Sequence, residues 1–492
     1  MPAAQRSMTA FALRPRLSAM AAMSAVGLGL MIAPAGIATA DPTKSTTTST
    51  SSRQAPDSLF PEVGSSRYNV KHYAIKLSYQ TSGEIKAKTT VIAKTKKPLK
   101  SFSLDLEGLT VDAVKVNGHN ADYLRRDNKL IIKPSKVLDG RFSVTIKYHG
   151  KPVTHIDPDG AKDGWIPTAD GGVVVLSEPV GAMTWFPNNN TPRDKATFDM
   201  KITVPAKLEA AGSGDLRSVR KHDGLETWRW VQPKQQATYL AMIAIDNFDV
   251  YRSTMTTTTG RKLPIWSFIE PELGTQAAAR ALIPKAIRYM ERRFGPYPFN
   301  SAGIVVKDSD VDYALETQNR PVFDIDEGET VRELTNVHEW AHQWYGNSVT
   351  LSDWGDIWLN EGFATYAEWL WTASHGGQST AERFQTEYDA NPAGDELWSP
   401  APADFSNPAD LFGSQGYLRG AMTLEVLRQE VGHGTSSSSC VVGHRTTNTG
   451  MFLHVSSSPY PSACRERTWM PSSRRGSLRW GNLRSASPQA AR

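Results

Sequence analysis

Cysteine is nearly missing from this sequence: of 492 residues only Cys440 and Cys464 are cysteines, both near the C-terminus. The long body before them can therefore form no disulfide framework and can use no thiol as a nucleophile. Long apolar runs are missing after the first forty residues, so no second stretch of about 20 apolar residues offers a membrane span. Acidic residues are missing from residues 1–16, which carry Arg6, Arg14 and Arg16. An apolar stretch from Leu17 to Ile37 follows and ends in Ala38-Thr39-Ala40, a small-x-small cleavage pattern. Residues 1–40 are read as a secretory signal cut after Ala40. The expectation is a protein secreted from a bacterial cell, with no stable membrane anchor after cleavage.

Lysine is missing from residues 435–492, which hold eight Arg, thirteen Ser and a single acid, Glu466. That segment carries +7 and residues 1–40 carry +3, so a chain total of +5 leaves −5 for residues 41–434. The basic charge belongs to the ends. It gives no ground for expecting a nucleic-acid partner.

Residues 41–60 are rich in Ser and Thr and read as a linker. From about Tyr68 to Tyr251 apolar residues alternate with polar ones: Tyr73, Ile75, Leu77 and Tyr79, then Phe102, Leu104 and Leu106, then Phe142, Val144, Ile146 and Tyr148. Val114 and Val116 precede an Asn117-Gly118 turn. Period two between turn residues predicts antiparallel strands packed on one face, a β-sandwich-like domain over residues 61–252. Beyond Gly260 the pattern predicts helices over 275–293, 330–346, 357–372 and 418–430, with a strand at 303–306, making an α+β domain over residues 253–434.

Within it, His338-Glu339-Trp340-Ala341-His342 forms an HExxH pattern. On a helix, residues i and i+4 share a face, so both imidazoles reach one metal while Glu339 can take a proton from water beside it. Catalytic zinc takes three protein ligands and an open position. The third candidate is Glu361, separated from His342 by eighteen residues, enough for a loop and the start of a second helix. Its neighbours Trp358, Leu359, Phe363 and Tyr366 are apolar, and a carboxylate among them needs a partner. An ordinary acid at a helix start is the alternative.

HExxH, eighteen residues, then Asn360-Glu361-Gly362-Phe363-Ala364 resembles the M1 family of gluzincin aminopeptidases, related to aminopeptidase N. The thermolysin family shares the ligand set but places the third ligand one residue further on and lacks the surrounding motif. The resemblance spans about residues 60–434. It implies a thermolysin-like, mostly helical zinc domain, one Zn2+ per chain, and peptides with a free N-terminus as substrates.

The same resemblance implies further roles. The family's Gly-x-Met-Glu-Asn motif matches Tyr313-Ala314-Leu315-Glu316-Thr317 only at Ala and Glu, making Glu316 the anchor of the substrate amine. Glu178, in Ser177-Glu178-Pro179 before Trp185-Phe186-Pro187, is implied as a second acid of the amine site. Tyr417, in Tyr417-Leu418-Arg419-Gly420, is implied as the donor to the oxyanion; a helix-start core aromatic is the alternative. One branch of the family hydrolyses epoxides, and nothing in the sequence selects that activity.

Regular patterning stops near Gly434. Residues 435–492 read either as a Ser/Arg-rich extension or as the product of a reading-frame shift near codon 435. A shift would replace the last helices of the catalytic domain and impair the enzyme.

Overall fold

The structure, a computed structural model, describes residues 57–430, 441–444 and 453–456. The segment read as a secretory signal at 1–40, nearly all of the expected linker at 41–60 and most of 435–492 lie outside the described residues.

The alternating segments form the expected strands. Tyr68–Tyr79 buries Tyr73, Ile75, Leu77 and Tyr79 and turns His72, Ala74, Lys76 and Ser78 outward. It lies in the middle of an eight-stranded sheet. On one side it pairs with Ile85–Thr95, then Arg141–Gly150, Thr110–Val116 and His119–Asn120; on the other with Ala196–Pro205, Leu225–Gln236 and Asp215–His222. Asn117 and Gly118 both have positive φ, 49° and 84°, the backbone that a two-residue hairpin turn needs. A five-stranded sheet containing Lys162–Pro167, Val173–Leu176 and Ile243–Asp246, and a three-stranded one of Phe102–Asp105, Lys129–Lys133 and Asp122–Arg126, complete this β-rich half, with Trp165, Trp185 and Trp230 fully buried.

A further sheet, Asp249–Thr256, Lys262–Ile269, Val305–Lys307, Val322–Asp324 and Ala314–Leu315, leads into five α-helices among the described residues. These are α1 (Ala277–Phe294), α2 (Glu333–Ala341), α3 (Trp358–Ser374), α4 (Thr380–Ala390) and α5 (Gly420–Glu430). In α1, Ala279, Leu282, Ile283, Ala286, Ile287 and Met290 recur at helical spacing and are buried; Gly295, at φ 91°, ends it. The architecture is a β-rich domain followed by a helix-containing one, an α+β fold. A small core of Leu59, Phe60, Val180, Met183, Tyr239, Trp354 and Ile357 joins the two halves. Among the described residues no helix is long and apolar enough to cross a membrane.

Four local expectations are corrected. The helix predicted over 330–346 ends at Ala341, because Asn347, Ser348 and Val349 bond back five residues to His342, Gln343 and Trp344, winding the chain into a wider turn around Gly346 at φ 116°. The strand predicted at 303–306 occupies Val305–Lys307. The helix α4 was not foreseen, although Ser379 and Glu382 make a reciprocal capping box at its start. Finally, residues 435–492 showed no alternation, yet Val441–His444 and Leu453–Ser456 pair as antiparallel strands.

Candidate metal and catalytic site

His338 lies in the last turn of α2 and His342 at its C-cap. Glu361 lies in the first turn of α3. Nε2 of His338 is 3.1 Å and Nε2 of His342 3.4 Å from the same Glu361 oxygen. All three side chains are buried. Burial works against ionising Glu361, but the His342 charge and hydrogen bonds from both imidazoles hold its carboxyl down, to about 2. His342 is likewise opposed by burial and raised to about 9 by Glu361 and Glu316. The cluster thus favours positive charge at its centre.

The outer ring nitrogens are committed elsewhere. Nδ1 of His338 lies 2.6 Å from Oε1 of Glu368, and Nδ1 of His342 is 3.0 Å from the Tyr345 carbonyl. The widened turn after Ala341 brings that carbonyl into place. Two imidazoles presenting Nε2, each oriented through Nδ1, and one ionised carboxylate make a three-ligand set that fits zinc. A second acidic group, Asp170, Asp246 and Glu270, also converges, but the Lys307 ammonium bonds all three and already supplies their cation.

Glu368 was missed in the sequence. It lies seven residues after Glu361 on α3, two turns along the same face, which is the signal that could have found it. Glu368→Ala is expected to weaken zinc binding by about 10–100-fold while the fold persists. Competition with a chelating dye reads this directly; an unchanged affinity would contradict the role.

Glu339, between the histidines, is buried, and its Oε2 lacks a hydrogen-bond partner. Its carboxylate converges with Glu316 and Nε2-bearing His342 within 4.8 Å. Burial pushes its carboxyl up to about 8 against the pull of the two imidazoles.

Glu316 follows the short strand Ala314–Leu315, and Glu178 follows Val173–Leu176 in the β-rich half. The fold brings these two carboxylates, far apart in sequence, within 4.8 Å of Glu361 and of each other. Each has an oxygen, Oε1, that is buried without a partner. Burial and then the neighbouring Glu316 raise Glu178 well above the usual carboxylate range. The Glu316 loop is pinned by its own carbonyl, which accepts from Nε2 of Gln343 at 3.2 Å and Nδ2 of Asn347 at 2.7 Å. Thr317 instead closes a local turn, donating from Oγ1 to the Arg320 carbonyl at 2.6 Å.

Tyr417 lies in a wide helical turn, Gln415–Arg419, which leads into α5 rather than forming its regular start. Its ring stacks against His338, with centroids 6.0 Å apart at 20°. Arg419 anchors the turn, donating from Nη1 to the Trp398 carbonyl at 2.6 Å. Gly362, next to Glu361, meets Gly420 so closely that a Cβ on Gly420 would stand 2.9 Å from the Gly362 Cα. The seven residues singled out in the sequence are therefore gathered on one site.

The model of the peptidase M1 N-terminal domain matches residues 69–240, and that of the peptidase family M1 domain matches residues 285–440. An M1 zinc metallopeptidase mutant from Deinococcus radiodurans, bound to the substrate Tyr-Ser-Ala, is 29% identical with a TM-score of 0.71, covering 77% of this chain and 87% of that one. Legionella pneumophila aminopeptidase A, in complex with aspartic acid, shares the fold at a TM-score of 0.63 and 19% identity, over 74% of this chain and 44% of its own. Endoplasmic reticulum aminopeptidase 1 of Homo sapiens is 26% identical over 332 residues, 63% of this chain and 35% of that protein. Aminopeptidase M1-D of Oryza sativa is 25% identical over 281 residues, 53% of this chain and 31% of that protein. The chain spans about a third of the length of such curated relatives. With both domain models matched in order and the two-domain fold shared, the chain belongs to peptidase family M1.

Proposed function

We propose that the protein is a secreted zinc aminopeptidase that removes the N-terminal residue from peptides. The observation that carries this reading is the pair of buried carboxylates, Glu178 and Glu316, with partnerless oxygens beside Glu361. Two buried acids this close cannot both stay ionised without a cation. A substrate ammonium is that cation, and binding it fixes the peptide so that the first peptide bond, and no later one, lies at the ligands.

A zinc ion held by His338, His342 and Glu361 would supply Lewis acidity toward the scissile carbonyl and toward water. Glu178 and Glu316 hold the amine. Glu339 accepts a proton from the attacking water and delivers it to the departing amine. Tyr417 donates a hydrogen bond to the carbonyl oxygen as charge develops on it. Glu368 and the Tyr345 carbonyl keep the imidazoles oriented throughout.

N-acetylation of an aminoacyl fluorogenic substrate removes the ammonium and leaves the scissile bond intact. The expected result is a loss in kcat/KM of about 10³-fold or more, the scale of losing a buried charge pair. Equal turnover of free and acetylated substrates would overturn the exopeptidase reading.

A further inference from the structure

The outer face of the eight-stranded sheet carries a row of cations, four lysines and one arginine. Arg229 lies directly opposite Lys201, Lys201 opposite Lys76, Lys76 opposite Lys88, and Lys88 opposite Lys147. Five adjacent strands thus place five basic side chains in one line perpendicular to the chain direction. At about 4.8 Å between strands the row spans about 19 Å. Like charges directly opposite each other destabilise a sheet, and alternating acids would have kept the face equally soluble. Among the described residues, none of the four lysines makes an ion pair; of the acids beside the row, Asp199 is taken by Arg229 at 2.6 Å and Asp112, next to Lys147, lies 2.7 Å from Nδ1 of His149. The spacing is shorter than the screening length of about 8–10 Å, so the charges act as one field. They do so on a body whose overall charge is negative, −5 over residues 41–434.

The neighbouring register row is of a different kind: Thr227, Thr203, Ser78, Lys86 and His149 lie opposite one another in turn. A groove of about 570 Å³ lies along the two rows and is lined by Lys76, Lys88, Lys147 and Lys201, by those hydroxyls, and at one end by the paired His149 and Asp112. On these five strands every Tyr, Phe and Trp is buried inward, so the face offers no ring on which a nucleic-acid base could stack. Of the exposed large apolar side chains only Leu225 comes from these strands, so little could enter a bilayer. The inner face of the same sheet packs toward Trp165, Trp185 and Phe186, so the row points away from the catalytic site.

We propose that this face binds a linear acidic polysaccharide. Its carboxylates, recurring once per sugar ring, lie along the row from Arg229 to Lys147, and its ring hydroxyls meet Thr227, Thr203 and Ser78. Lysine suits this task as a point charge, with no fork geometry to satisfy. The site would hold the enzyme on an anionic polymer while the catalytic face stays open to peptides.

The test is calorimetric titration of the full chain with polygalacturonate at low and raised ionic strength. Fully methyl-esterified polymer, single-stranded DNA and phosphatidylserine vesicles serve as comparators. Saturable, salt-sensitive binding to polygalacturonate is expected, with weaker binding to all three comparators. The quadruple variant Lys76→Gln, Lys88→Gln, Lys147→Gln, Lys201→Gln should weaken it by about a thousandfold at low ionic strength. Its melting temperature should be no lower than that of the parent, since it removes repulsion, and hydrolysis of a small aminoacyl substrate should be unchanged. Equal binding to the esterified polymer, or tighter binding to DNA or vesicles, overturns the proposal. So does an equal loss in a control variant, Lys100→Gln with Lys133→Gln and Lys136→Gln, on other surfaces.

Discussion

Glu339→Gln is expected to keep zinc and to lower kcat by about 10³-fold, within the range of 10²–10⁴ that a positioned general base contributes. That is about 4 kcal/mol of barrier. The side chain is buried between His338 and His342, and its Oε2 has no hydrogen-bond partner in the protein. Glutamine fills the same space and leaves His338, His342 and Glu361 untouched, so metal affinity should persist while the proton acceptor is gone. His342→Ala removes a proposed ligand and should lose metal and activity together. Metal analysis beside turnover of a fluorogenic aminoacyl substrate separates the two variants. Full activity in Glu339→Gln would remove Glu339 from the proton transfer.

Much of this site is legible in the amino-acid sequence, for a definite reason. Metal ligation fixes residue types, and a helix fixes spacing, so His338, Glu339 and His342 declare themselves within five letters. Glu361 needs only one further fact, that a carboxylate among Trp358, Leu359 and Phe363 is costly without a partner. The strands are legible for a similar reason, since a sheet with one wet face writes its period of two into the chain. Glu178, Glu316 and Tyr417 are reached through resemblance, because nothing local marks them; they meet the ligands only through tertiary folding.

What stays hidden is what depends on backbone irregularity or on register between distant strands. The end of α2 at Ala341 comes from bonds reaching back five residues, and periodicity of apolar side chains continues through it unchanged. That irregular end delivers the Tyr345 carbonyl to His342 and the Gln343 and Asn347 amides to the Glu316 loop. Likewise Lys76, Lys88, Lys147 and Lys201 read as ordinary outward residues of four separate strands, until pairing sets them in one row.

The closest approach between the two helices of the site leads to the second large expected effect. Gly362 follows the proposed ligand Glu361, and Gly420 lies three residues beyond Tyr417. Their backbones touch, and a methyl on Gly420 would stand 2.9 Å from the Gly362 Cα and 3.5 Å from the Trp358 carbonyl oxygen. Backbone cannot rotate aside as a side chain can, so Gly420→Ala must separate the Tyr417 turn from α3 by several tenths of an ångström, an overpacking cost of about 1–3 kcal/mol. Glu361 stays on α3 with its imidazole partners, so zinc should remain bound. Tyr417 loses its place over His338, and a displacement approaching 1 Å costs about 10²-fold in rate. Glu178 and Glu316, proposed to capture the amine, lie on other elements, so the loss should fall on kcat with KM little changed. Adding Tyr417→Phe discriminates further: if Gly420→Ala acts by misplacing the hydroxyl, the double variant should be scarcely slower than Tyr417→Phe alone. Additive losses would instead mean that the glycine contact supports the site by another route.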